Sequence, residues 1–205
     1  MSPLYGVRHC KQIVNKIVTG EAKEISEAMR KINRDKESKP LPSGKYEVIL
    51  ADPPWEYDFC KDNSDSINNH YPTMTVEEIK NLEVPSADDA VLFLWATAPK
   101  LKEALEVMEA WGFKYKTCAV WDKEWIGMGY WFRGQHELLL VGVKGSFSPP
   151  QESCRFSSVI REKRQEHSKK PDKVYEMLEV MFPQSKRLEL FARNKRPGWE
   201  VWGNE

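Results

Sequence analysis

Asp52 closes a run of four apolar residues, Val48-Ile49-Leu50-Ala51, and is followed at once by Pro53, Pro54 and Trp55. The run has the length and continuity of a buried strand in a parallel sheet, introduced by Ser43-Gly44-Lys45. That places Asp52 at a carboxyl end, the edge where open α/β sheets bind ligands. Two prolines in succession fix φ twice and remove two backbone donors, so the carbonyls of Asp52 and Pro53 become rigid acceptors beside a carboxylate.

Such a pair suits an amino group. The exocyclic amine of a nucleobase is a poor nucleophile because its lone pair is delocalised into the ring. Two acceptors that take its two N–H groups, here Asp52 and the Pro53 carbonyl, favour a pyramidal nitrogen, aim its lone pair at a methyl donor and stabilise the developing positive charge. Trp55 offers a face for stacking the base. The base has to leave its stack to arrive there, so the target is a flipped or single-stranded nucleotide. The same tetrapeptide also reads as a plain loop start, because Asp-Pro is a common turn dipeptide.

Further blocks narrow that choice. Tyr71-Pro72-Thr73-Met74, Leu92-Phe93-Leu94-Trp95-Ala96-Thr97, His136-Glu137 ahead of Val141-Gly142-Val143-Lys144-Gly145, Lys170-Pro171-Asp172, Glu189-Leu190-Phe191-Ala192-Arg193, and Trp199 with Gly203-Asn204 follow in order. With Ala51-Asp52-Pro53-Pro54-Trp55 they resemble the METTL-type (MT-A) N6-adenine methyltransferases, in the compact form of bacterial and phage members, from about Lys45 to Glu205. The resemblance implies S-adenosylmethionine as cofactor and an adenine in nucleic acid as substrate. It implies a Rossmann-like class I methyltransferase sheet, doubly wound, with permuted motif order: the catalytic block precedes the cofactor block, and no G-x-G-x-x-G turn is present. It implies roles for Asp52, Pro53, Pro54 and Trp55 in catalysis, and for Tyr71 and Glu137 in the adenosine site. Lys170 falls at the methionine part of the cofactor and the target nucleoside. Phe191, Arg193 and Asn204 fall at the cofactor's adenosine end, where Glu205 stands in place of an amide and offers a carboxylate to ribose hydroxyls. Relatives often carry histidine where this chain has Lys169.

The elements that must position these residues follow from patterning. At 205 residues, 40% hydrophobic and 30% charged, the chain is expected to form one domain with an appendage. No apolar run nears the roughly 18 residues of a membrane span, and the first residues lack a signal-peptide pattern. Cys10, Cys60, Cys118 and Cys154 form no C-x-x-C pair, which indicates neither a disulfide framework nor a zinc site, and no metal is required by the chemistry. A cytoplasmic setting is expected, or a nuclear one in a eukaryote.

The formal net charge of zero conceals segregation. Residues 1–45 hold 10 basic and 5 acidic side chains, residues 46–154 hold 9 and 18, and residues 155–196 hold 12 and 6. A polyanion would meet the two basic ends. Residues 1–43 are expected to be a basic helical extension and linker, with amphipathic spacing from Ile13 to Ile32, and 44–205 the catalytic domain. The extension reads either as a nucleic-acid-gripping or dimerising arm or as helices packed on the core.

Within the catalytic domain, Glu56 to Asn69 is polar and reads as a lid beside the reaction centre. Thr75 with Glu78 forms a capping-box pattern for a short helix through Leu82. Strands are expected at Val91–Trp95, 115–121, 136–143 and 187–193, and helices from Leu101 to Trp111, ending at Gly112, and from Pro171 onward. Lys170 at the latter helix's start suggests an anion site. Asp122 to Gly134 is rich in aromatics and reads as a base-stacking track, a partner interface or core. Arg155, Arg161 and Arg164 are the expected phosphate contacts at the mouth of the pocket. The substrate is expected to be DNA or RNA, with a weak tilt to DNA, and the protein a homodimer or a partner of a related subunit. A non-catalytic nucleic-acid-binding subunit is the competing class.

Overall fold

Val48 to Ala51 are at most 1% exposed, and that burial on both faces explains why the stretch carries no polar alternation. They belong to β1 (Tyr46–Ala51), which runs parallel to β2 (Ser86–Ala96) on one side and β6 (Arg187–Ala192) on the other. The structure, a computed structural model, describes residues 40–57, 73–165 and 169–203, together with Val18. Most of the expected N-terminal extension, the lid beyond Tyr57, Tyr71, Asn204 and Glu205 lie outside the described residues.

Seven strands form one sheet in the order β5-β3-β4-β2-β1-β6-β7, completed by β3 (Lys114–Asp122), β4 (His136–Lys144), β5 (Val159–Arg161) and β7 (Glu200–Gly203). β4 is antiparallel to both β2 and β3, whereas the other neighbouring pairs are parallel. The reversal has a simple cause. β3 and β4 are joined by a loop without a crossover helix, and such a connection returns a strand antiparallel. β5 is an element that the polar, basic stretch after Pro149 did not signal.

Alternation along the strands sorts the core into two layers. Ile49, Leu92, Leu94 and Leu188 pack with α1 (Val76–Lys80) and α2 (Leu101–Ala110), through Ile79, Val107 and Met108. Val48, Leu50, Phe93 and Trp95 pack with α3 (Asp172–Met181), through Val174 and Leu178. Helices therefore cover both faces, as a doubly wound sheet requires. Each such Leu, Ile or Val contributes about 1.5–3 kcal/mol by burial.

Local chemistry sets the helix ends. Thr75 accepts from the Glu78 N–H while the Glu78 carboxylate accepts from the Thr75 N–H, the reciprocal box expected, although α1 stops at Lys80 rather than Leu82. α2 ends with Gly112 at φ 82°, and the N–H groups of Gly112 and Phe113 return to the carbonyls of Glu109 and Met108. This doubly bonded termination needs a left-handed residue at Gly112. Pro171 stands one place before α3, at its cap, with no side-chain bond to the first turn.

The result for function is positional. The carboxyl ends of β1, β2 and β3 and the amino end of β4 meet along one edge of the sheet. Trp111 clamps α2 to α1 beneath that sheet, its indole N–H donating to the Ile79 carbonyl at 2.9 Å. Trp111→Ala opens a cavity and strands that carbonyl, so urea denaturation is expected to show a loss of about 3–5 kcal/mol.

Candidate active site

Asp52, one residue past β1, meets Lys170, two residues before α3. The Lys170 ammonium lies 2.9 Å from Asp52 Oδ1 and 3.1 Å from Glu137 Oε2. Glu137, near the start of β4, is held on its other oxygen by Lys123 at 2.5 Å. Four charges of alternating sign thus run from Asp52 through Lys170 and Glu137 to Lys123. Lys170, Glu137 and Asp52 have side chains only 13%, 12% and 21% exposed.

Burial at this density is tolerable only because each charge has a partner. Burial pushes the Asp52 carboxyl above the usual carboxylate range, and Lys170 only partly offsets it while Glu137 adds to it. Burial would raise Glu137 too, but Lys170 and Lys123 together outweigh it and hold that carboxyl below its ordinary value. Lys170 loses hydration by burial, yet its two carboxylates more than compensate and its pKa rises. The lysine is a permanent cation fastening two acids. This corrects the expectation of an anion site at the start of α3, because Lys170's charge is already matched.

Aromatic walls enclose the network. Lys170 Nζ lies 5.5 Å from the centre of the Trp95 ring, and Trp95 meets Trp121 edge-on at 6.0 Å. The Trp95 indole N–H is buried with no acceptor among the described residues. Tyr57 packs against the other core layer, near enough for the charges of Glu137, Lys170 and Asp52 to act on its hydroxyl, which lies 2.8 Å from that of Thr97.

Two members of the Asp-Pro-Pro-Trp corner behave differently from expectation. Trp55 is 6% exposed, packs in the layer of Ile49 and Ile79, and donates its indole N–H to the Trp95 carbonyl at 3.2 Å. It pins the corner to the sheet and presents no free face for a base, because its ring is consumed by core packing. The Pro53 carbonyl accepts the Trp55 N–H at 2.9 Å, and the Pro54 carbonyl accepts from Met74 at 2.9 Å. Pro53 therefore keeps one lone pair rather than two.

The arginines expected at the pocket mouth lie on or near the segment whose backbone bonds to Asp122 and Lys123. Arg155, Arg161 and Arg164 are exposed in and around β5, the outermost strand on that side. Arg161 reaches Asp122 at 3.9 Å, and Arg155 donates to the Pro150 carbonyl. On the other side of β1, Arg193 is exposed but close enough for its charge to lower the pKa of Asp52. Phe191 sits at φ 63°, a left-handed bend rare outside glycine, and its ring meets Trp202 at 5.4 Å.

Several participants were not singled out as site residues from the sequence, although Trp95 and Glu189 stand in blocks that carry the resemblance. Lys123, Trp95 and Trp121 each lie at the carboxyl end of a strand, the signal that had singled out Asp52. Glu189 is an acid between two leucines inside β6, a pattern that marks a buried charge. It is 9% exposed and accepts the Tyr175 hydroxyl at 2.8 Å. Burial, with a contribution from Asp52, pushes its carboxyl up to about 7 against the Tyr175 bond and Arg196, which lower it.

A mixed sheet of this order, with an acid at the end of the inner strand β1 and a lysine paired to it, is that of a Rossmann-like methyltransferase. Residues 46–205 match the MT-A70 family, and the chain belongs to that family, one of N6-adenine methyltransferases. It is 38% identical over 185 residues to the type II methyltransferase M.MunI of a Mycoplasma species, covering 80% of this chain and 79% of that protein. It is 34% identical over 173 residues to the Arabidopsis thaliana N(6)-adenosine-methyltransferase MT-A70-like protein, and 31% over 173 residues to human METTL3, the catalytic subunit of an N(6)-adenosine-methyltransferase. Those matches cover 79% of this chain but only 24% and 28% of the longer proteins.

Methyltransferases of this family generally use S-adenosylmethionine, and the residues present suit it. Asp52, with one oxygen left over by Lys170, is fit to take an ammonium group. A Cβ on Gly203 would stand 2.3 Å from the Ala192 carbonyl oxygen, so β6 and β7 press backbone to backbone beside the bend at Phe191.

The raised pKa of Glu189 gives a stability signature. The native state keeps a proton that the unfolded chain, at the usual 4.5, releases. Stability is therefore lost as pH rises from about 4.5 to about 7, by on the order of 3 kcal/mol. Glu189→Gln should be more stable than the parent at pH 8 and converge with it near pH 4.5, as read by urea denaturation at both values. A difference independent of pH would contradict the assignment.

Proposed function

We propose that this chain transfers a methyl group from S-adenosylmethionine to the N6 amine of adenine in nucleic acid, with DNA preferred. The observation that carries the reading is Asp52 at the end of β1, its side chain 21% exposed and held through Oδ1 by Lys170.

Bound S-adenosylmethionine supplies a methyl group already activated on a sulfonium. As the family resemblance implies, Asp52 and Lys170 would lie at its methionine end, and Phe191, Arg193, Asn204 and Glu205 at its adenosine end. With Oδ1 committed to Lys170, Asp52 offers Oδ2 to one N–H of the adenine amine. The remaining lone pair of the Pro53 carbonyl takes the other. Both hydrogens are then fixed, and the nitrogen lone pair is free to face the methyl group.

Positive charge grows on N6 as the N–C bond forms, and Asp52 stabilises it in a site where little water competes. The departing N6 proton moves to Asp52, whose carboxyl burial makes more basic than an ordinary aspartate. Glu137, kept ionised by its two lysines, reads a donor on the base, and Tyr57 borders the ring; the family resemblance assigns Tyr71 to the same nucleoside. Pro54 stiffens the corner.

The preference for DNA is supported by size. The match to M.MunI spans most of both chains, whereas the METTL3-type matches span about a quarter of much longer proteins. RNA is the second reading, favoured by those N(6)-adenosine relatives. A non-catalytic subunit would have no use for the buried cost of Asp52, Lys170 and Glu137. The cysteine usage suits a reducing compartment, cytoplasm or nucleus.

Labelled S-adenosylmethionine offered with matched single- and double-stranded DNA and RNA oligonucleotides tests the proposal, with nucleoside analysis of the product. N6-methyladenine is expected from the parent, and Asp52→Ala should lose at least about 1,000-fold in rate at saturating cofactor. Undiminished transfer by Asp52→Ala, or product at another atom, overturns it.

A further inference from the structure

The loop between β3 and β4 exposes an aromatic surface that the methyl-transfer site does not use. Tyr130, Trp131 and Phe132 are each at least 90% exposed, and Trp125 is more than half exposed. Core packing, one of the three readings of this stretch, is therefore excluded. The loop is nonetheless held in shape: the Gly127 N–H donates to the Gly134 carbonyl at 2.8 Å, the Gly134 N–H to the Met128 carbonyl at 3.2 Å, and Arg133 Nε to the Gly127 carbonyl at 2.6 Å. A pinned loop that keeps several large rings in water forgoes their burial, about 150–250 Å² each, so something else covers them.

Its root identifies the occupant. Trp121 and Glu137, opposed in the β3–β4 ladder, belong to the active-site wall, and Lys123, the first loop residue, is bonded to Glu137. The loop therefore begins at the rim of the proposed adenine pocket. The segment after β5 is sewn to the same root, with the Glu162 N–H donating to the Asp122 carbonyl and the Arg164 N–H to the Lys123 carbonyl. Residues 123–135 and 155–165 together hold 6 basic and 2 acidic side chains. Aromatic faces flanked by positive charge and continuous with a nucleobase site are what unpaired nucleotides require.

We infer that the β3–β4 loop is a stacking platform for the unpaired nucleotides that flank the target adenine, with the basic segment around β5 tracking their phosphates. This rests on the proposed action on a nucleic-acid adenine, and it deepens that reading. The platform engages bases only where they are unstacked from a partner strand, so it favours single strands or locally opened duplex. It gives the exposed Arg161 and Lys163 a phosphate role outside the catalytic centre.

The test is binding by the full chain to a fluorescently labelled, adenine-containing 12-nucleotide single strand and to its duplex, followed by anisotropy, with light scattering on the same samples. Trp131→Ala and Tyr130→Ala remove exposed rings, so thermal unfolding should match the parent. Each should weaken single-strand binding roughly 5- to 100-fold and narrow the preference over duplex, with the salt dependence of binding kept. Arg161→Gln with Lys163→Gln should instead flatten the salt dependence, by about one unit of slope for each phosphate that is no longer neutralised. Single-strand affinity unchanged in Trp131→Ala overturns the inference. So does a parent that is a dimer and becomes a monomer in Trp131→Ala, whatever the affinity does, because the loop is then an interface with a second copy. Binding needs no turnover, so absence of methyl transfer would sink the N6 reading alone, and intact transfer with unaltered Trp131→Ala binding would sink the platform alone.

Discussion

The site depends on one ammonium placed between two carboxylates. Removing Asp52, Lys170 and Glu137 from bulk water costs several kcal/mol per ion, and no apolar contact in the neighbourhood repays that. Only the mutual arrangement does: Lys170 bonds Asp52 at 2.9 Å and Glu137 at 3.1 Å, and Lys123 closes the far end. The consequence for chemistry is directional. One oxygen of Asp52 is immobilised, so the other is aimed. The consequence for the fold is topological, since the three charges come from β1, β4 and the approach to α3, and these meet only if β4 runs against its neighbours. Glu137 stands near the amino end of β4, and a strand running parallel to the rest would carry it to the opposite edge of the sheet.

The physical content of the sequence was uneven. β1 was legible because a strand covered on both faces must be apolar throughout, and Asp52 was legible because a charge that ends such a strand has little structural excuse. The Thr75–Glu78 box and the Gly112 stop were readable for a similar reason: each is a local bond set by residues three or four apart. Non-local facts were not. The reversal of β4 depends on a loop whose composition says nothing about direction, and β5 is three residues long with only Ile160 buried. Neither leaves a periodic trace.

The fate of Trp55 shows the same limit inside the site. An aromatic beside a catalytic acid invites a stacking role, but its ring faces the layer of Ile49 and Ile79 and its N–H is spent on Trp95. Side-chain direction after two prolines is set by what the corner packs against, and the sequence does not state that. Lys170 is the converse case. Its position before Pro171 matched the family pattern, while the reason for it, a cation fastening two acids from different strands, appears only in three dimensions. Glu189, raised to about 7 beside Tyr175, stands inside β6 at the head of a block that the sequence did mark, but its burial and its bond to α3 are facts of packing.

Asp52 acts as aimed by Lys170, the two working as one unit. Single-turnover methyl transfer at saturating cofactor, compared among the parent, Asp52→Asn, Lys170→Met and the double variant, tests it most directly. If the lysine acts by orienting Asp52, the double variant should be little slower than the slower single one, as for residues that function together. Losses that multiply in the double variant, or a Lys170→Met enzyme as fast as the parent, would show that the two do not work as one unit.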